Sequence, residues 1–225
     1  MSVTNRDRLL QGTANSAAPS AEPLDVTDYE PEVAYPHGFP LRLDVARQRR
    51  YARWRPLVKW LLAMPHAVAL IFVGLAMLLA YLPSVAVVLV TGRYPLNVFR
   101  FMTGGVRWFM QVIAYLYLLT DAYPPFSLRD NQTYTVRFDL DYPPGGRVAR
   151  WRPLAAWLLV IPQILALSLV YISVYLMVLL GLFSILFTRT FPPGVFDFIV
   201  QALRFHARVG AYALFMTERY PTFML

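Results

Sequence analysis

The feature that most constrains this chain is a long apolar stretch that occurs twice. Residues 57–90 follow Arg53-Trp54-Arg55-Pro56 and end at Thr91-Gly92-Arg93-Tyr94-Pro95. Residues 154–187 follow Arg150-Trp151-Arg152-Pro153 and end at Thr188-Arg189-Thr190-Phe191-Pro192. The offset of 97 residues between Arg53 and Arg150 holds to the C-terminus, where Thr120-Asp121-Ala122-Tyr123-Pro124-Pro125-Phe126 aligns with Thr217-Glu218-Arg219-Tyr220-Pro221-Thr222-Phe223. About three in eight of roughly 77 aligned pairs are identical, so the chain reads as a tandem duplication.

As a helix, each stretch would be about 51 Å long against a hydrocarbon slab of about 30 Å. Lys59 and His66 are the strongly polar residues of the first stretch. With 57% hydrophobic and 15% charged residues overall, the expected solvent is lipid, and the excess length must lie along the interface or be absorbed by tilt. Pro65 and Pro162 share a register near the start, where each helix is expected to kink or begin.

The remaining segments follow from this. Residues 1–37 are rich in Ser, Ala, Pro and carboxylates and read as a disordered acidic tail in the cytoplasm, without a secretory signal. The absence of cysteine excludes disulfides and thiolate metal sites. The net charge of +8 is concentrated beyond that tail, which suits anionic headgroups. Residues 39–45 (FPLRLDV) and 134–140 (YTVRFDL) alternate apolar and polar with period two, so each copy carries a short strand, and the two are expected to pair against the membrane surface. Pro143-Pro144-Gly145-Gly146 reads as a turn.

Arg53, Trp54, Arg55, Arg150, Trp151 and Arg152 have the composition of headgroup anchors, in which Arg snorkels beside an amphipathic indole. A nucleic-acid patch is not expected next to such apolar neighbours. The second helices, residues 96–120 and 194–217, carry polar residues at spacings of three and four: Arg100, Arg107 and Gln111 in one copy, and Asp197, Gln201, Arg204 and Arg208 in the other. Each set forms one stripe.

Arginines gather before each apolar stretch, whereas the turns between helices hold Arg93 and Arg189, so both basic flanks are expected in the cytoplasm. Two arrangements satisfy this. In the first, both helices of each copy span, giving four transmembrane helices and placing Arg107 and Arg204 near mid-membrane in a polar seam between repeats, where Asp197 could neutralise an Arg. In the second, the long stretches are re-entrant and the striped helices lie in the interface. Helix length favours the first. The expected fold class is thus an all-α integral membrane protein of two repeats, residues 38–128 and 129–225, with a small cytoplasmic β-pair.

The VTGR and FTR turns followed by Tyr-Pro or Phe-Pro, with the closing Leu119-Thr120-Asp121-Ala122-Tyr123-Pro124-Pro125-Phe126, resemble the bacterial domain of unknown function DUF4389, in the tandem form associated with actinobacterial proteins. The second copy departs at Glu218, Arg219 and Thr222 and lacks a counterpart of Gly92. The resemblance implies a small integral membrane protein of no assigned activity.

Thr91, Tyr94, Pro95, Tyr123, Pro124, Tyr220 and Pro221 are expected to stop helices and place rings at boundary depth. His66 and His206 do not share a register, so a haem-ligating pair is not expected; no cofactor or metal is. No phosphate loop, metalloprotease motif or nucleophile elbow is present. The expectation is a non-enzymatic protein of the bacterial cytoplasmic membrane that serves as an accessory or scaffold subunit beside another membrane protein, or organises lipid, with homo-oligomerisation open. The rival is a small transporter or channel with an anion path along the arginine stripes.

Overall fold

A computed structural model describes residues 39–131 and 133–221; the acidic tail lies outside the described residues. The element order is β1 (Leu41–Val45), α1 (Arg55–Thr91), α2 (Leu96–Leu116), β2 (Val136–Leu140), a 3-10 turn (Pro144–Gly146), α3 (Arg152–Thr188) and α4 (Pro193–Ala213). The fold is mostly helical, built on two repeats of a strand, a long apolar helix and a shorter amphipathic one.

Both long helices begin just before their apolar stretches, with Pro56 and Pro153 in the first turn, where a missing N–H is harmless. They run on through Pro65, Pro83 and Pro162, so neither helix begins at its proline. Each ends on a left-handed residue, Gly92 (φ 67°) or Arg189 (φ 61°). The shorter helices end before the polar motif residues expected inside them. Leu118 and Phe215, equivalent by the repeat, take positive φ, and the next amide reaches back five residues, Leu119 to Ala114 and Met216 to Ala211. This Schellman-type turn tucks Leu118, Leu119, Phe215 and Met216 into the core.

The strands pair antiparallel with Leu43 opposite Phe138, Arg42 opposite Asp139 and Asp44 opposite Arg137. Leu43 and Phe138 occupy the same place in their repeats, so a pseudo-two-fold axis passes between them. Phe109 and His206 are likewise equivalent, and their rings meet at 5.8 Å, which puts the same axis between α2 and α4. The strands are exchanged across it: β1 packs on α4 of the other repeat, and β2 on α2. The duplication therefore closes into one body with a continuous core from the sheet through α2 and α4 to the inner faces of α1 and α3.

The axis also runs α1 antiparallel to α3. Tyr51 N–H donates to Arg189 O at the end of α3, and Val148 N–H to Gly92 O at the end of α1; Tyr94 N–H donates to Gly146 O. Four crossings would put the Gly92 and Arg189 turns on the far side of a bilayer from the basic flanks. Instead, turn and flank are hydrogen-bonded neighbours, because each long helix starts where the other stops.

Candidate membrane-facing surface

α1 and α3 are long and apolar enough to cross a membrane, and their outer faces are unburied. Ile71, Phe72, Leu165 and Leu169 are each 63–70% exposed. In α1 no residue between His66 and Ser84 is buried. Patches of this kind on soluble monomers seldom exceed a few hundred Å2; here the apolar face continues over two helices of 37 residues.

The basic flanks rim this face. Arg53, Trp54 and Arg55 are exposed; Arg53 donates to Phe187 O (3.2 Å) and Arg55 to Asp121 O (3.2 Å). Arg150 and Trp151 are exposed too, whereas Arg152, expected as a headgroup anchor, is buried with its guanidinium 4.7 Å from the centre of the Tyr212 ring. The ring draws the cation inward. Trp60 and Trp157 stand at matched exposed positions one to two turns further on. Arg93, Arg147 and Arg150, with Glu218, border an open cleft of about 510 Å3 between the end of α1 and the start of α3.

Of the turn residues, Tyr123 and Tyr220 are exposed and make matched bonds, to Leu62 O and Leu159 O. Thr91 caps its own helix through Val87 O, Pro95 precedes α2, and Pro124 and Pro221 are buried. Tyr94 departs from boundary depth: it is buried against Phe99 and Phe215, since the Gly92 turn folds it back over the core. Burial raises its phenol above the ordinary range.

The polar stripes of α2 and α4 do not face each other across a seam. Arg107 Nε donates to Phe138 O (2.8 Å) and Arg204 Nε to Leu43 O (2.9 Å), the same bond in both repeats. The bonds Ala46 N–H to Thr135 O and Asp141 N–H to Pro40 O fix the ladder's alternation. Leu43 and Phe138 therefore form a non-bonded pair whose carbonyls point outward from the two-stranded sheet. The arginines satisfy those edge carbonyls, and Gln111 does the same for Val136 O (3.2 Å). Asp130 and Asp44 stand 3.6 and 3.5 Å from the two guanidinium groups. Arg208 lies buried with its guanidinium 5.2 Å from the Phe39 ring centre. Gln201 is half-buried, and Arg100 and Asp197 are exposed. A polar face under a strand pair replaces the expected mid-membrane seam.

The most constrained polar centre is one that sequence reasoning missed. Lys59, 1% exposed, pairs with Asp121 at 2.8 Å, donates to Thr120 O at 2.8 Å and sits 5.0 Å from the centre of the Tyr115 ring. Asp121 also accepts from Ala52 N–H, while its own N–H donates to Gln48. Thr120 bonds Thr135 beside β2, and Tyr51, whose phenol is raised by burial, donates to Leu119 O. The signal available was the chain's sole lysine inside an apolar run. The histidines have separate surroundings: His66 Nδ1 accepts from Trp108 and its ring stacks on Phe126 at 3.9 Å, while His206 bonds Tyr171.

The family model described as a domain of unknown function, DUF4389, matches residues 53–127 and 152–224. Each match takes in a long helix, its partner helix and the loop after it, and leaves the strands outside. No curated protein and no solved structure matches the chain. Two matches over about two thirds of the sequence, in the two halves related by the pseudo-two-fold, make this chain a tandem member of the DUF4389 family.

Proposed function

We propose that the protein is a non-enzymatic constituent of the bacterial cytoplasmic membrane that embeds the α1/α3 face in one leaflet from the cytoplasmic side and organises lipid there. The observation that carries this reading is that each long helix starts beside the end of the other, through Tyr51–Arg189 and Val148–Gly92, while the span between these contacts exposes apolar side chains. On this reading the long helices run along or bow into the bilayer, as amphipathic in-plane anchors do, whereas four crossings with both basic flanks on one side would need them parallel rather than antiparallel. The arginine clusters at the rim suit anionic headgroups.

The transport reading is less favoured because Arg107, Gln111 and Arg204 are engaged with strand carbonyls. An accessory role beside another membrane protein remains compatible with the same exposed face. Reconstitution separates the two roles. With the full chain bound to phosphatidylglycerol-containing vesicles, lipid organisation predicts changed acyl-chain order and vesicle shape as the protein-to-lipid ratio rises. Unchanged order and shape with the protein fully bound would reject it.

A further inference from the structure

The two repeats differ in how α1 and α3 meet their partner helices. Between α1 and α2 lies an apolar groove of about 600 Å3, bordered by Trp60, Ala63, Leu70, Gly74, Phe109 and Val112 among others. Gly74 faces open space: a Cβ there would meet nothing within 4 Å. At one end the groove closes where Met77 presses on Gly105, whose added Cβ would overlap the Met77 sulfur. Trp60 stands toward the other end, five residues from Arg55, about 7.5 Å along the helix.

In the second repeat the counterpart residues pack against one another. The counterpart of Gly74 is Tyr171, which bonds His206, the counterpart of Phe109. Val160, Leu167 and Val209, the counterparts of Ala63, Leu70 and Val112, close around it with Phe205 and Tyr212 as a buried cluster. The duplication thus supplies its own comparison: one copy plugs the groove with a side chain, and the other leaves it open.

We propose that the open groove of the first repeat holds one acyl chain of an anionic membrane phospholipid, with the phosphate at Arg53 and Arg55. The inference rests on the membrane reading above. Three observations select this occupant. The groove is continuous with the exposed apolar face, so a chain enters without crossing water. Its lining is almost wholly apolar and its volume falls within the usual range of small-molecule sites. The exposed pair Arg53 and Arg55 gives the headgroup a bidentate partner.

Native mass spectrometry of the full chain, released from mild detergent after addition of dioleoylphosphatidylglycerol, tests this. Wild type is expected to retain one tightly held phospholipid, Gly74→Tyr to lose it, and Tyr171→Ala to gain a second. Arg53→Gln with Arg55→Gln should abolish the preference over dioleoylphosphatidylcholine. Equal lipid counts in wild type, Gly74→Tyr and Tyr171→Ala overturn the proposal, as does retention of oleate but not phospholipid, or a dimer that disappears in Gly74→Tyr. In those cases recovery of the protein in the membrane pellet leaves the membrane reading standing. Recovery in the supernatant of broken cells without detergent would remove that reading itself.

Discussion

Asp121 joins three parts of the fold: its carboxylate holds Lys59 of α1 and the amide of Ala52, and its own amide reaches Gln48 beyond β1. Removing one partner of a buried pair leaves a desolvated charge, which costs about 3 kcal/mol or more. Asp121→Asn should therefore lower thermal stability in detergent by about that amount. Glu218→Gln, at the exposed equivalent position where the side chain accepts from Ala149 N–H, should change it by less than about 0.5 kcal/mol. Equal effects would contradict this asymmetry. The motif around Asp121 was legible in the sequence, but its partner Lys59 was not, because Lys59 lies 61 residues before the neighbouring Thr120 and reaches the motif only once α1 and α2 are known to run antiparallel. A second asymmetry was visible as Gly92 against Arg189. The left-handed backbone strains a side chain, so Arg189→Gly should stabilise by about 0.5–1 kcal/mol and Gly92→Ala should destabilise by about 1 kcal/mol, both read from melting temperature.

At the scale of elements, the period of α2 and α4 revealed a polar stripe without revealing what it faces. Water, headgroups and a row of strand carbonyls all select the same spacing, and only the exchange of strands between repeats decides for the last. The strands themselves were readable from alternation, including the matched charges Arg42 and Asp139, which the register sets opposite each other. Since the chain lacks cysteine, the exchange is directly testable. With Arg42→Cys and Asp139→Cys combined, a short bis-maleimide should join the two sites within one chain, because directly opposed Cα atoms stand about 5.5 Å apart. The two single variants should give no intramolecular product; absence of the product in the double variant would contradict the pairing.

For the whole molecule, length alone does not decide topology. A run of 34 apolar residues fits a crossing helix by composition, but composition carries no information on where the two ends are held. The pseudo-two-fold supplies that information: it sets each long helix antiparallel to its copy and bonds the approach to each helix to the end of the other. The proposed one-sided embedding follows from this closure, as does the difference between a plugged and an open groove in two copies of one ancestral unit. Single cysteines at Asn97, Gly194 and Arg150, all exposed positions, probe the closure most directly with a membrane-impermeant maleimide. Protection of all three in intact cells and labelling of all three in inside-out vesicles is the predicted result. Labelling of Asn97→Cys and Gly194→Cys in intact cells, with Arg150→Cys protected, would contradict it.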